Sequence, residues 1–160
     1  MLFIGIFMLI GCLFFLWREY TIYLGREMRQ TDELSAFLRY MRDRMSCYLE
    51  PISAWIGEYS TPELERLGFL GALRDGVDVR EAFDNFSDEM CISREVIDAF
   101  SGAVRDMGEG DLEGEVSILN TAVDKLSSVG GRVSEDYKNK IKASGAMLAA
   151  VAVGVIVLII

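Results

Sequence analysis

Five carboxylates fall between positions 106 and 115, at Asp106, Glu109, Asp111, Glu113 and Glu115, and they are the nearest thing in the chain to a site for a hard cation. Such a cation asks for several carboxylate oxygens, but the spacing does not fit an EF-hand loop. Acids at the start of a helix are ordinarily explained by the amide dipole and by capping. Glu109, Asp111, Glu113 and Glu115 therefore stand as a candidate contact for a basic partner, and no metal is expected. The glycine-bearing stretch from Gly108 to Gly114 lacks the lysine followed by serine or threonine of a phosphate-binding loop, so no nucleotide is expected either. The chain has no histidine. That removes the Ser-His and Cys-His nucleophile pairs and the commonest zinc ligand and general base. Its three cysteines, Cys12, Cys47 and Cys91, form no CxxC pair; Cys12 lies in an apolar run and the other two have apolar neighbours, which predicts buried, reduced thiols. An enzyme working with carboxylates alone would need two acids converging in a concave site, and no spacing here forecasts such a pair. The expectation is a protein without catalysis or cofactor.

The distribution of charge says more. All 16 basic and all 25 acidic residues lie between Arg18 and Lys142. The flanking runs, 1–17 and 143–160, carry no ionisable side chain and would reach roughly 26 Å as helices, slightly under a hydrocarbon core of about 30 Å. They are expected to be terminal transmembrane helices around a domain at 18–142. The first run has neither the basic start nor the small-residue cleavage site of a signal peptide. Trp17, Tyr20 and Tyr23 sit where aromatic rings with a polar tip favour the membrane boundary. Arg18, Arg26 and Arg29 near one run, and Arg132, Lys138, Lys140 and Lys142 near the other, predict a cytoplasmic domain in a multi-pass protein of the cell membrane. With nothing charged beyond either outer end, an ectodomain that senses external ligands is not expected. The net charge of −9 is concentrated between 45 and 124, where 18 acids face 5 bases, so nucleic acid is not expected as a partner. The basic flanks suit anionic lipid headgroups, and the acidic remainder suits a basic protein.

Between the flanks the expected fold is all-α. Only Pro51 and Pro62 interrupt the chain, and no stretch alternates apolar with polar residues. Leu34, Phe37, Leu38, Met41, Met45, Tyr48 and Leu49 step by three and four along one helix, which should end near Glu50 before Pro51 opens a short helix. Thr61-Pro62-Glu63 reads as an N-cap with proline at the first helical position, leading through Leu64, Leu67, Leu70 and Leu73 to a stop at Gly76. Asp78 to Glu81 is a capping-box pattern opening a helix that buries Ala82, Phe83 and Phe86. Ser93 starts another, burying Val96, Ile97, Phe100 and Val104, with Gly108 as its stop. From Asp111 a heptad-like seam, Leu112, Val116, Leu119, Val123 and Leu126, continues through Val133, Tyr137 and Ile141. Gly130-Gly131 within it is either a hinge or a place of close helix packing. Ala146, Ala150 and Gly154 form a small-residue ridge for another helix, either the first run with Gly5 and Gly11 or a second copy of the chain. Neither run holds the charges of a channel or transporter.

This layout resembles the stage III sporulation protein AB family, whose members carry a short span at each end of a helical domain. The resemblance covers nearly the whole length. Its more specific parts are the helix from Glu33 to Ile56, with its apolar face running into Pro51-Ile52, and the stretch Met107-Gly108-Glu109-Gly110-Asp111. Glu115 stands where the family typically has glutamine, and Phe83 where many members have tryptophan. The family is similar to the helical platform protein of type II secretion and type IV pilus machines. The resemblance implies a bundle of about six helices between two membrane spans. It also implies a place in the mother-cell membrane facing the forespore, within a sporulation-specific secretion-like complex. There it would contact a secretion-type ATPase and other small membrane proteins, as an assembly platform. The competing expectation is a membrane-tethered adaptor that recruits a single cytoplasmic partner.

Overall fold

The computed structural model describes the backbone of residues 2–48, 51–107 and 112–159, and the side chains of 5, 8, 10–47, 51–107 and 113–154. Among them every regular element is helical: α1 (Leu2–Asp43), a π-helical turn (Arg44–Tyr48), α2 (Ile52–Trp55), α3 (Pro62–Leu67), α4 (Phe69–Arg74), α5 (Val79–Phe86), a 3₁₀ turn (Ser87–Glu89), α6 (Arg94–Asp106) and α7 (Leu112–Ile159). The chain divides into two compact units, a bundle at 26–133 and a pair of helical arms at 1–25 and 134–160. The compact bundle lies within the charged stretch 18–142. Its first and last helices run on into the arms, as the continuous apolar stripes forecast, since α1 and α7 each contribute to both units.

Within the bundle, the first four positions of the stripe forecast for α1, Leu34, Phe37, Leu38 and Met41, form the floor of the core at 0% exposure; Met45 is half-buried, and the side chains of Tyr48 and Leu49 lie outside the description. Phe37 is the centre of that floor. Its ring lies 5.6 Å from those of Tyr59 and Phe69, 6.1 Å from Trp55 and 6.4 Å from Phe100. Spacings and tilts of this kind favour aromatic pairs beyond the area they bury. The pair Phe83–Phe100, at 4.3 Å, carries the contact on to α5 and α6. α7 closes the core with Leu119, Val123, Leu126 and Val129, and runs antiparallel to α1: Asn120 meets Arg42, Ser127 meets Arg39, and Gly130 lies by Thr31 and Asp32. A Cβ on Gly130 would stand 3.8 Å from both Thr31 Cγ2 and Asp32 Oδ1, an ordinary packing distance, and one on Gly131 would meet nothing within 4 Å, so neither glycine is demanded by close helix packing in the unbroken α7.

Polar clamps fix the short helices. Thr61 holds the N-cap position of α3 in extended conformation, but its side chain makes no capping bond and its hydroxyl is buried without a partner. Glu33 of α1 does the capping instead, accepting from the Glu63 amide at 2.9 Å and the Leu64 amide at 3.0 Å. A carboxylate is the stronger acceptor at a helix N-terminus, where free amides and the dipole favour negative charge. Beside it the nearly buried Glu63 carboxylate accepts from Arg29 at 3.0 Å and Arg66 at 2.9 Å, and Gln30 Oε1 accepts from the Cys91 amide at 2.7 Å. The leucine run 64–73 is not one helix, because Gly68, with φ +84°, breaks it into α3 and α4. Left-handed backbone of this sort costs an L-residue about 1–2 kcal/mol, and glycine adopts it freely. Asp78 caps α5 as forecast, accepting from the Arg80 amide at 2.9 Å. α6 ends at Asp106, with Met107 at its C-cap position already extended. The proposed stop at Gly108, and the start of α7 at Asp111, lie outside the described residues.

The cysteine expectation is corrected. Cys12 and Cys47 are exposed and Cys91 is half-buried, all three as free thiols. Cys47 falls in the π-helical turn, whose wider winding breaks the stripe that Met41 and Met45 follow, and so it leaves the core face.

The arms form a unit of their own. On α1 the less exposed positions are Ile10, Leu13, Trp17, Thr21, Leu24 and Gly25; on α7 they are Ser134, Tyr137, Ile141, Ser144, Gly145, Leu148 and Ala152. These two stripes meet where Trp17 Nε1 donates to Ser144 Oγ at 3.1 Å, while Ser144 donates in turn to the Ile141 carbonyl at 3.1 Å. Among the described residues no helix is long and apolar enough to cross a membrane. The outer turns of both apolar runs, including the side chains of 1–4 and 155–160, lie outside that description.

Burial pushes the Glu63 carboxyl up, but hydrogen bonds from Arg66, Arg29 and Gln30 outweigh it and leave its pKa below the ordinary value. A lowered folded-state pKa contributes stability above the unfolded pKa and loses it as pH falls through the folded one. Glu63→Gln should therefore lower the melting temperature at pH 7, and the gap to wild type should close as pH falls below about 4. Glu33→Ala should cost about 1 kcal/mol or more in denaturant unfolding through loss of the α3 cap. Unchanged melting in both variants would contradict the clamp.

Candidate partner-docking site

The bundle carries an open cleft of about 430 Å³, formed by the π-helical turn, the start of α2, the N-terminus of α5, the end of α6 and the first turn of α7. Each wall follows from the local fold. Pro51, at the N-cap position of α2, sets Ile52 on the rim, and the Asp78 cap fixes the first turn of α5 so that Val79 is buried and Arg80 exposed. The apolar lining is Met45, Ile52, Val79, Val104 and Met107; the polar rim is Asp78, Arg80, Arg105 and Glu115. A smaller cleft of about 200 Å³ between α5 and α6 shares Arg80, Val104 and Arg105 and adds Phe83 and Asp84. The larger volume lies within the usual range for a bound group, with the mixture of apolar wall and few charges that such sites carry.

Asp78 is committed to the cap of α5, and Arg105 lies 3.5 Å from its exposed neighbour Asp106. Arg80 has no ion pair among the described residues. Burial pushes the phenol of Tyr59 up to about 12, with Glu33 and Tyr40 adding to it, but this ring belongs to the core and not to the cleft. Among the described residues no group of three or more acidic, cysteine or histidine side chains is placed to hold a metal ion. The arrangement can receive an apolar side chain of another molecule and fix its surroundings by charge.

Of the acidic residues singled out from sequence, Glu113 is exposed in the first turn of α7 and Glu115, half-buried, lines the cleft. Glu109 and Asp111 lie outside the described residues. Ala146, Ala150 and Gly154 are exposed on the arm of α7, off the stripe that meets α1, and no described atom comes within 4 Å of a Cβ built on Gly154, Gly5 or Gly11. The arms therefore meet through Trp17 and Ser144 rather than through those glycines. Sequence reasoning missed the cleft because its walls come from five separated elements; only the Asp78 cap and the Pro51 step were visible, each as a local signal.

No protein-family model, no curated protein and no solved structure matches the chain.

Because the cleft charges hold little of the fold, Arg80→Ala should change unfolding free energy by no more than about 0.5 kcal/mol. Arg74, whose guanidinium joins Glu65 to the Ile56 and Tyr59 carbonyls, should give a clearly larger loss on the same substitution. Equal losses in chemical denaturation would remove the distinction between rim and scaffold.

Proposed function

We propose that the protein is a non-enzymatic, membrane-anchored assembly platform: the arms sit in the lipid, and the bundle presents its acidic surface and cleft to a cytoplasmic partner. One observation carries this reading. Every large apolar side chain exposed among the described residues belongs to the arms and none to the bundle: Met8, Phe14, Phe15, Leu16, Tyr20, Ile22 and Tyr23 on α1, and Met147, Val151 and Val153 on α7. Met8 and Met147 are 71% and 72% exposed. Apolar surface gathered in this way is unfavourable in water and marks contact with lipid or protein. The uncharged outer turns of the sequence extend the same character, and the basic residues at their inner ends favour a cytoplasmic bundle.

The resemblance to the stage III sporulation protein AB family supplies the finer content. On that basis the protein works in the mother-cell membrane facing the forespore, within a secretion-like complex, and meets a secretion-type ATPase with other small membrane proteins. Glu115 on the rim of the cleft, with the exposed Glu113 two residues before it on α7, would give that partner a surface with an apolar recess and negative charge, complementary to a basic patch around an apolar side chain. The outward row Ala146, Ala150 and Gly154 is left for a helix of another subunit. A tethered adaptor with one cytoplasmic partner uses the same surfaces without the complex.

Tagged protein extracted in mild detergent during engulfment should co-purify with a secretion-type ATPase and several small membrane proteins. Glu113→Lys with Glu115→Lys should reduce ATPase recovery at least about tenfold, the size of a lost charge contact of about 1.4 kcal/mol, with the melting temperature retained. A single unrelated partner would favour the adaptor, and undiminished recovery by the reversed variant would remove the acidic contact.

A further inference from the structure

The inner ends of the arms carry four cations that the fold leaves unused. Arg18 follows Trp17 on α1, and Lys138, Lys140 and Lys142 precede Ser144 on α7; all four are exposed. Among the described residues none of them has an ion pair, although Glu19, Glu135 and Asp136 lie close by in sequence. In the bundle the cations are mixed: Arg29, Arg42, Arg66, Arg74 and Arg132 each have a carboxylate within 4 Å, while Arg80 has none among the described residues.

Their level along the arms is set by the Trp17–Ser144 hydrogen bond. Lys142 precedes that link by about 3 Å of helix rise and Lys138 by about 9 Å. Tyr20 and Tyr23, 43% and 53% exposed, follow Trp17 by about 4.5 and 9 Å on the other helix. Cations and phenols therefore share one band next to the exposed apolar belt. The headgroup layer on each side of a bilayer is about 5–8 Å deep, and lysine side chains several carbons long can place their charge within it. Aromatic rings with polar tips favour that same layer.

We infer that Arg18, Lys138, Lys140 and Lys142 form a collar that binds the phosphate groups of anionic phospholipids and gathers such lipid around the arms. The inference rests on the arms being in the membrane. A soluble acidic protein would meet the same charges but leave the adjoining apolar belt in water, whereas an anionic bilayer covers both. The collar also answers a problem of the chain's own charge. Residues 45–124 carry 18 acids against 5 bases, so the greater part of the bundle is repelled by an acidic leaflet, and attraction has to come from these flanks.

Trp17 reports on the collar, because it stands at its edge while Trp55, the other tryptophan, is 1% exposed in the core. The full chain is reconstituted in mixed phosphatidylglycerol and phosphatidylcholine vesicles, in which one lipid or the other carries bromine near the headgroup end of its acyl chains. Brominated phosphatidylglycerol should quench the accessible tryptophan at least about twofold more than brominated phosphatidylcholine at equal mole fraction, and the preference should weaken in 1 M salt. Lys138→Gln, Lys140→Gln and Lys142→Gln combined with Arg18→Gln should quench equally with both lipids. Equal quenching of the wild type, or a preference kept by the variant, overturns the collar while leaving the anchor in place. No quenching by either lipid overturns the anchor as well.

Discussion

Helices α2 to α5 are four, six, six and eight residues long, and none is of a length that holds together alone in water. Their existence depends on one surface, the face of α1 that carries Leu34, Phe37, Leu38 and Met41. Phe37 touches rings from the α2 region, from α4 and from α6, so one side chain ties three parts of the chain to the same helix. Substituting it would open a cavity common to all of them, a kind of loss that usually costs several kcal/mol. Glu33, one turn earlier on α1, completes the constraint by capping α3 from outside its own sequence, and Gln30 holds the amide of Cys91. Apolar burial and the polar clamps thus act through the same helix.

The sequence disclosed those features whose cause is local. The stripe on α1, the Asp78 cap, Pro62 at the start of α3 and the heptad seam of α7 each depend on residues within a turn or two, and each has its counterpart in the fold. What escaped depends on distant residues. Thr61 has the right type for a cap, yet its helix is capped by Glu33, twenty-eight positions earlier. The leucine spacing from 64 to 73 suits one helix, and only the packing of two short ones against the core shows why Gly68 turns left-handed. Cys47 was judged by its apolar neighbours, whereas the π-helical winding decides which way it faces. At the candidate site, Glu115 was visible as a charge, but the recess it borders is assembled from five elements and has no signature in any one of them.

The arms and the bundle differ in how they treat their surfaces. The bundle hides its large apolar groups and neutralises many of its arginines; the arms expose apolar groups and leave their cations unpaired. A protein evolved only for water has little reason to maintain that contrast within 160 residues. The proposed placement of the arms in lipid accounts for the exposed apolar groups and for the unpaired cations beside them.

The membrane anchor is the claim on which the others rest, and Cys12 with Cys47 tests it directly. Both thiols are exposed in the isolated chain, but Cys12 lies in the apolar arm and Cys47 beside the bundle core. Variants retaining one cysteine each are placed in lipid nanodiscs, where a water-soluble maleimide reaches both faces, and labelling rates are compared before and after the lipid is dissolved with denaturing detergent. Labelling of Cys47 alone in the nanodisc, with Cys12 reacting only after disruption, is the predicted result. Equal rates for the two thiols in intact nanodiscs would contradict the account.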